Sequence, residues 1–353
     1  MRKTVFFFSC EPGGAEVLIP VIELLQRSLG YDVVVCGYGH AARRFADKGI
    51  RHVIVEPVTT PGGLERWKPD LVITSAASLP ERDMSEKNLW HLARRNGIPS
   101  IAFLDQWQNY EARFSGASEA ERLAFLPDFI NCINAVGRRE MTKAGFDERR
   151  LVEFGHPYLS ALPMRAAKVD RAALLRRLKV DEDRPLILFA SEAISEHYGR
   201  RRGYDQFDAL RLFMEMVERT PEKLRPLIKL HPKDALPGYE EVLKEYSPLG
   251  PIVVRDELSP VECLAAAEMV FGMTSVMLIE AFILGKPVAS LQPGLTGEDP
   301  MVLSRIGCIP RVVRREPVLS IRAFSCPPDP DAGFEYAFRE QAFLAFIAGL
   351  LGV

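Results

Sequence analysis

Three short segments of the second half carry residue types that could converge on one phosphorylated ligand. His231-Pro232-Lys233 joins an imidazole to a rigid proline and a cation. A histidine in that setting can donate a hydrogen bond to a phosphate oxygen, and proline fixes how the chain leaves the preceding strand. Thr274-Ser275 follows Gly272-Met273 and opens an apolar helical run. Two hydroxyls and the unbonded N–H groups of a first helical turn make an anion site, although capping alone would also account for them. Glu280 is the single charge in the otherwise apolar run 276–284. A carboxylate there can accept hydrogen bonds from two vicinal hydroxyls, as a ribose offers.

The first half offers a different set. Ser9-Cys10-Glu11-Pro12-Gly13-Gly14-Ala15-Glu16 connects the first apolar run to the first helical pattern. Adjacent glycines allow backbone N–H groups close to a ligand, but the loop is not G-x-G-x-x-G. A tight strand-to-helix turn with Glu16 satisfying the helix N-terminus is the competing reading. Asp105-Gln106-Trp107-Gln108-Asn109-Tyr110 lies at another strand end. Asp105 is a candidate general base, with Glu11 and Glu16 as alternatives, and Trp107 or Tyr110 could stack on a sugar ring or base. Gly13, Gly14, Trp107 and Asn109 make up the acceptor side of this reading. Gly62-Gly63 reads as a turn, and Arg200-Arg201-Arg202 as a solvated loop or a contact for an anionic acceptor or lipid surface.

These residues need strands and helices to position them. Residues 4–8, 32–36, 52–55, 70–74, 100–104 and 129–133 are short apolar runs with little alternation, as strands covered on both faces require. Val17, Leu18, Val21, Ile22 and Leu25 fall at helical spacing between the first two. The rhythm breaks after Phe154-Gly155-His156-Pro157 at a polar stretch, 165–184, and restarts with strands at 185–190, 226–230, 251–254, 269–272 and 287–291. Helical patterns cover 205–218, 260–267 and 276–284, and 325–332 is a Pro/Asp-rich loop. The expected fold is α/β, with two Rossmann-like doubly wound domains facing a cleft. They span 1–163 on the acceptor side and 164–334 on the nucleotide-donor side, with a helix over 335–353 bracing the first.

Composition agrees with that plan. The 353 residues are 47% hydrophobic and 26% charged, with a formal charge of −2, which suits two globular domains. Near-neutrality argues against a nucleic-acid partner while leaving room for one local anion site. Six scattered cysteines with no C-x-x-C pair read as reduced thiols and exclude an evident zinc site. The basic and apolar start, Met1 to Phe8, is interrupted at Ser9 and Glu11, so it reads as a buried strand rather than a signal peptide. No run of 18 apolar residues is present, and the apolar tail 343–353 reads as a packed terminal helix.

The helix from Thr274 to Pro287, with Glu280 ahead of Gly285-Lys286-Pro287, resembles the nucleotide-binding helix of GT-B-fold glycosyltransferases. His231-Pro232 and Thr274-Ser275 are similar to the His-Pro and Ser/Thr-Ser motifs of CDP-glycerol glycerophosphotransferases and bacterial polysialyltransferases. Phe154-Gly155-His156-Pro157 resembles the segment closing the first domain in the GT-B/UDP-N-acetylglucosamine 2-epimerase superfamily. The resemblance implies that His231, Thr274 and Ser275 hold donor phosphates, Glu280 the ribose, and Ser191 and Glu192 further parts of the donor. It implies a glycosyltransferase using a UDP or cytidine nucleotide sugar for surface polysaccharide or glycolipid synthesis. No Asp-x-Asp motif stands at a strand end, so neither metal nor cofactor is expected. The 2-epimerases carry Asp-Ser-Gly-Gly and then paired carboxylates where this chain has Met273-Thr274-Ser275-Val276 and a single Glu280. That places a 2-epimerase, hydrolysing or not, second, and a non-catalytic nucleotide-sugar-binding protein third. The expected partners are a nucleotide-sugar donor and a saccharide or glycolipid acceptor. The expected location is the cytoplasm, with peripheral contact at the inner membrane face and a homodimer both left open.

Overall fold

The computed structural model describes residues 2–57, 64, 66–180, 184–232, 234–314, 319–329 and 333–353. Gly62-Gly63, Lys233 and the end of the Pro/Asp-rich loop at 330–332 lie outside the described residues. The chain divides into unit 1, Met1–Ala161 with Glu335–Val353, and unit 2, Leu162–Phe334.

Unit 1 is built on seven strands: β1 (Lys3–Ser9), β2 (Tyr31–Gly37), β3 (Val53–Ile54), β4 (Leu71–Thr74), β5 (Ser100–Phe103), β6 (Phe129–Asn131) and β7 (Leu151–Val152). They pair in parallel in the order β3-β2-β1-β4-β5-β6-β7. Unit 2 has β8 (Leu186–Ala190), β9 (Arg225–Lys229), β10 (Ile252–Val254), β11 (Ala267–Gly272), β12 (Val288–Leu291) and β13 (Arg311–Val312), also parallel, in the order β10-β9-β8-β11-β12-β13. Each half is therefore a doubly wound α/β domain. In each, the strand order reverses beside the first strand, between β1 and β4 and between β8 and β11. Loops at the carboxyl ends of those strands run apart to opposite faces, which opens a crevice there.

Burial explains why the apolar runs become central strands. β4, β5, β8 and β12 are buried along their whole length. Helix Pro12–Arg27 lays Val17, Leu18, Val21, Ile22 and Leu25 on the sheet, each 0% exposed. Each such side chain contributes about 1.5–3 kcal/mol by leaving water. The terminal helix Glu340–Leu351 belongs to the same core, with Phe343 and Ile347 buried and Phe343 set edge-on against Phe103 and Phe154. Gly155 makes this closure possible. Its φ is +86°, and a Cβ would stand 2.0 Å from the Ala337 carbonyl oxygen.

Some elements differ from the sequence expectation. The polar stretch 165–184 is not a plain break, because Leu162–Ala166 and Arg171–Arg177 are helical, the second N-capped by Asp170. β11 begins at Ala267, taking the last residue expected in the preceding helix, which ends at Ala266. β7 and β13, two residues each, carry no apolar run that would mark them. Among the described residues, no helix is long and apolar enough to cross a membrane.

Candidate functional site

In unit 2 the carboxyl ends of β8, β9 and β11 gather most of the expected donor residues. β11 stops at Gly272, Ser275 is the N-cap, and the helix runs Val276–Ile283. Ser275 Oγ accepts the Met277 N–H at 3.3 Å, satisfying one of the first-turn donors. Thr274 turns its N–H and its hydroxyl to Glu192, the hydroxyl donating to Oε1 at 2.7 Å. Arg202 Nη1 donates to the same hydroxyl oxygen at 3.1 Å. Burial raises the Glu192 carboxyl above its ordinary range, while Arg202 and Thr274 pull it the other way.

The loop after β9 is held by Asp234, whose Oδ2 accepts the His231 N–H at 2.8 Å. Burial raises the Asp234 carboxyl, and hydrogen bonds from His231, Tyr239 and Ser191 oppose that shift. Ser191 is in turn hydrogen-bonded to Tyr239. Ser191, Glu192, His231 and Thr274 are thus joined through two small networks, with Ser275 next in sequence. Glu280 lies in the second turn of the helix and is only 1% exposed. It acts on Cys263 of the adjacent helix Pro260–Ala266, whose thiol is pushed up to about 12, mainly by burial.

In unit 1 the β1/β4 reversal carries the glycine loop. Glu11 is the N-cap of helix Pro12–Arg27 but makes no side-chain cap. Glu16 lies in the second turn of that helix, 3.7 Å from Arg44. Gly13 lies under Asp105, since a Cβ there would stand 2.4 Å from Asp105 Oδ2. Gly14 lies on Ser75 and Ser9, with an added Cβ only 2.2 Å from Ser75 Oγ. Asp105 Oδ1 forms an ion pair with Arg113 Nη1 at 2.8 Å. Arg113, buried, also donates to the carbonyls of Ala76 and Gln108, so it fixes the Asp105 carboxylate at one place.

Trp107 departs from its expected role. It is 1% exposed, stacks on His156 at a centroid distance of 5.9 Å, and donates Nε1–H to Asn134 Oδ1 at 2.9 Å. The stack on His156 and the bond to Asn134 account for this ring without a ligand. His156 is equally built in: Nε2 meets the Asp105 carbonyl at 3.1 Å and Nδ1 accepts the Leu159 N–H at 3.3 Å. Burial lowers its pKa to about 4. Asn109, partly exposed, takes a left-handed conformation with φ +58° to start helix Tyr110–Phe114.

Glu86, Lys87 and Arg113 carried no distinguishing signal in the sequence, and Arg202, expected in a solvated loop or against an anionic acceptor or lipid surface, instead donates to Thr274. Glu86 and Lys87, 2% and 1% exposed, open helix Ser85–Arg95 beneath the β4 loop. Glu86 accepts from Ser75 Oγ and the Ala77 N–H, and Ser75 Oγ lies 2.7 Å from Ser9 Oγ. Lys87 donates to the Ala77 carbonyl at 3.3 Å. Burial raises the Glu86 carboxyl and lowers the Lys87 ammonium. The only signal for such residues was a charged pair in a first helical turn, which looks the same as a solvated one. Among the described residues, no group of three or more His, Cys, Asp or Glu side chains is placed to hold a metal ion.

No family model matches this chain, and no curated protein matches it in sequence. Solved structures do match along its full length. It is similar to a UDP-GlcNAc 2-epimerase from Neisseria meningitidis, bound to UDP-GlcNAc, with TM-score 0.66 and 16% identity over 99% of this chain and 100% of that one. It is similar to S. aureus MnaA, solved with UDP, with TM-score 0.71 and 14% identity over 100% and 97% of the two chains. A glycosyltransferase from Rickettsia africae matches with TM-score 0.59 and 11% identity over 99% and 90%. Identities this low speak for the fold. The chain has the two-domain, GT-B-like α/β architecture of those 2-epimerases and of that glycosyltransferase.

Proposed function

We propose that this chain is an enzyme acting on a nucleotide-activated sugar, with the nucleotide held by unit 2. The observation that carries the reading is the clustering at the β8/β11 reversal, where Thr274, Ser275, His231 and Ser191 stand with Arg202 at the strand ends where such folds take ligands. Thr274 and His231 are assigned to the diphosphate, the Thr274 donors being held by Glu192 in the absence of ligand, and Arg202 supplies positive charge. Glu280 is assigned to the ribose. Asp105 is assigned as base, held by Arg113 beside the helix N-terminus at Gly13. Fixed donors and positive charge stabilise a leaving nucleoside diphosphate as its bond to the sugar breaks.

Two reactions suit this arrangement. Likeness to UDP-GlcNAc 2-epimerases over the full chain favours 2-epimerisation. Ser275-Val276 in place of a glycine pair, and a lone Glu280, favour glycosyl transfer to a saccharide or glycolipid acceptor, with Asp105 taking the proton of the attacking hydroxyl. The protein is incubated with UDP-N-acetylglucosamine and with other UDP and cytidine nucleotide sugars, with and without candidate acceptors, and sugars and nucleotides are followed by NMR. A C2-inverted sugar formed without acceptor establishes the epimerase. Nucleotide released only with acceptor establishes the transferase. Binding with no turnover under any condition refutes the enzyme.

A further inference from the structure

The loop after β8 places a negative charge where the proposed function needs a positive field. Glu192 takes both donors that Thr274 offers, the N–H at Oε2 and the hydroxyl at Oε1. A hydroxyl has one proton and spare lone pairs, so Thr274 gives its proton to Glu192 while accepting from Arg202. Arg202 is fixed before any ligand arrives. Its guanidinium carbon lies 3.8 Å from the centre of the Tyr198 ring, and its carbonyl accepts the Thr296 N–H at 3.0 Å. Gly203 beside it packs against Gly294, where a Cβ would stand 2.1 Å from the carbonyl oxygen, so the loop has little room to shift. The donors are ready-made, and the anion they hold is the chain's own.

We propose that Glu192 is a built-in place-holder at the nucleotide site. Its carboxylate occupies the Thr274 donors that a diphosphate takes in the complex, and it leaves when the ligand binds. This rests on the nucleotide-sugar reading above and adds to it a control on affinity. Phosphate and carboxylate cannot share one pair of donors, and their like charges repel. Asp234, in the loop after β9, adds a second carboxyl whose charge acts against that of Glu192, with Arg202 as the opposing cation. Burial already disfavours the charged carboxylate, so its hold on Thr274 is one that a dianion can break.

A strut makes the competing account: Glu192 would then only tie the β8 loop to the β11 loop. The two accounts differ in sign. Removing the charge of a strut loosens the site and weakens ligand binding, whereas removing the charge of a place-holder strengthens it.

The test is isothermal titration of the full chain with UDP, inorganic pyrophosphate and uridine, for the wild type, Glu192→Gln, Glu192→Ala and Arg202→Gln. Charge-assisted hydrogen bonds set the scale, so both Glu192 variants are expected to bind UDP and pyrophosphate about tenfold tighter or more. Uridine, lacking phosphate, is expected to bind them as it binds the wild type. Arg202→Gln is expected to weaken pyrophosphate binding by about tenfold. If the wild type binds UDP and both Glu192 variants melt cooperatively yet bind it no tighter, the place-holder is overturned while the nucleotide reading stands. If neither the wild type nor the Glu192 variants bind UDP or pyrophosphate, both are overturned.

Discussion

Gly13→Ala tests whether the position of Asp105 matters to the chemistry. An added Cβ would stand 2.4 Å from Asp105 Oδ2, so that oxygen must retreat to reach an ordinary contact. The retreat required is about 1 Å, a displacement that can cost about 10²-fold in rate when it moves a reacting group. Asp105 cannot swing away freely, because Oδ1 is held by Arg113 at 2.8 Å and Arg113 is itself tied to Ala76 and Gln108. The backbone at Gly13 is helical, so alanine is otherwise favourable there by about 1 kcal/mol. The expected result is turnover of the nucleotide sugar lowered about 100-fold, equivalent to about 2.7 kcal/mol of barrier. UDP affinity should remain that of the wild type. Gly349→Ala is the control, since nothing lies within 4 Å of its Cβ position. Steady-state kinetics and titration calorimetry on both variants read these quantities. Full turnover in a folded Gly13→Ala protein would refute Asp105 as the base.

Three further outcomes follow from unit 1. His156, held neutral by burial at about 4 against an ordinary 6.5, binds fewer protons folded than unfolded between those values. Its stabilising effect is present above about pH 6.5 and is lost as pH falls towards 4, by about 3 kcal/mol in all; urea unfolding of wild type and His156→Gln at pH 7.5 and 4.5 should diverge by that order, and parallel losses would contradict it. Gly155→Ala forces a Cβ onto the Ala337 carbonyl and should lower the thermal stability of unit 1 by about 1–3 kcal/mol, an unchanged melt being the contrary result. Trp107→Phe deletes the bond to Asn134 and should cost about 1–2 kcal/mol without changing substrate affinity; a weaker KM at unchanged stability would return Trp107 to the ligand.

The central strands were legible because burial on both faces leaves continuous apolar runs such as Leu71–Thr74 and Leu186–Ala190. β7 and β13 were not, because Leu151-Val152 stands between charged residues and Arg311-Val312 begins on one, so neither makes a long apolar run. The strand end at Gly272 and a hydroxyl cap at Thr274 or Ser275 could be placed from residue type, and the structure makes Ser275 the N-cap. What could not be read was which side chain meets which. Glu192 and Thr274 are 82 residues apart and meet only because β8 and β11 are neighbours. Trp107 looked available because it sits in a polar loop, but Asn134 and His156 enclose it. Nothing in the sequence separates Glu86 and Lys87 from surface charges, and only the β4 loop folding over them makes them interior.

In the proposed function, unit 2 binds the nucleotide of an activated sugar through the β8, β9 and β11 loops and the Glu280 helix. Calorimetric titration of the full chain with UDP, CDP, CMP, GDP and dTDP tests it most directly, repeated on His231→Ala and Glu280→Ala. The expected result is saturable one-to-one binding of a uridine or cytidine nucleotide, weakened in each variant by about 1.5–3 kcal/mol while the melt stays cooperative. Undiminished affinity in both folded variants, or no saturable binding of any of the five nucleotides, would contradict it.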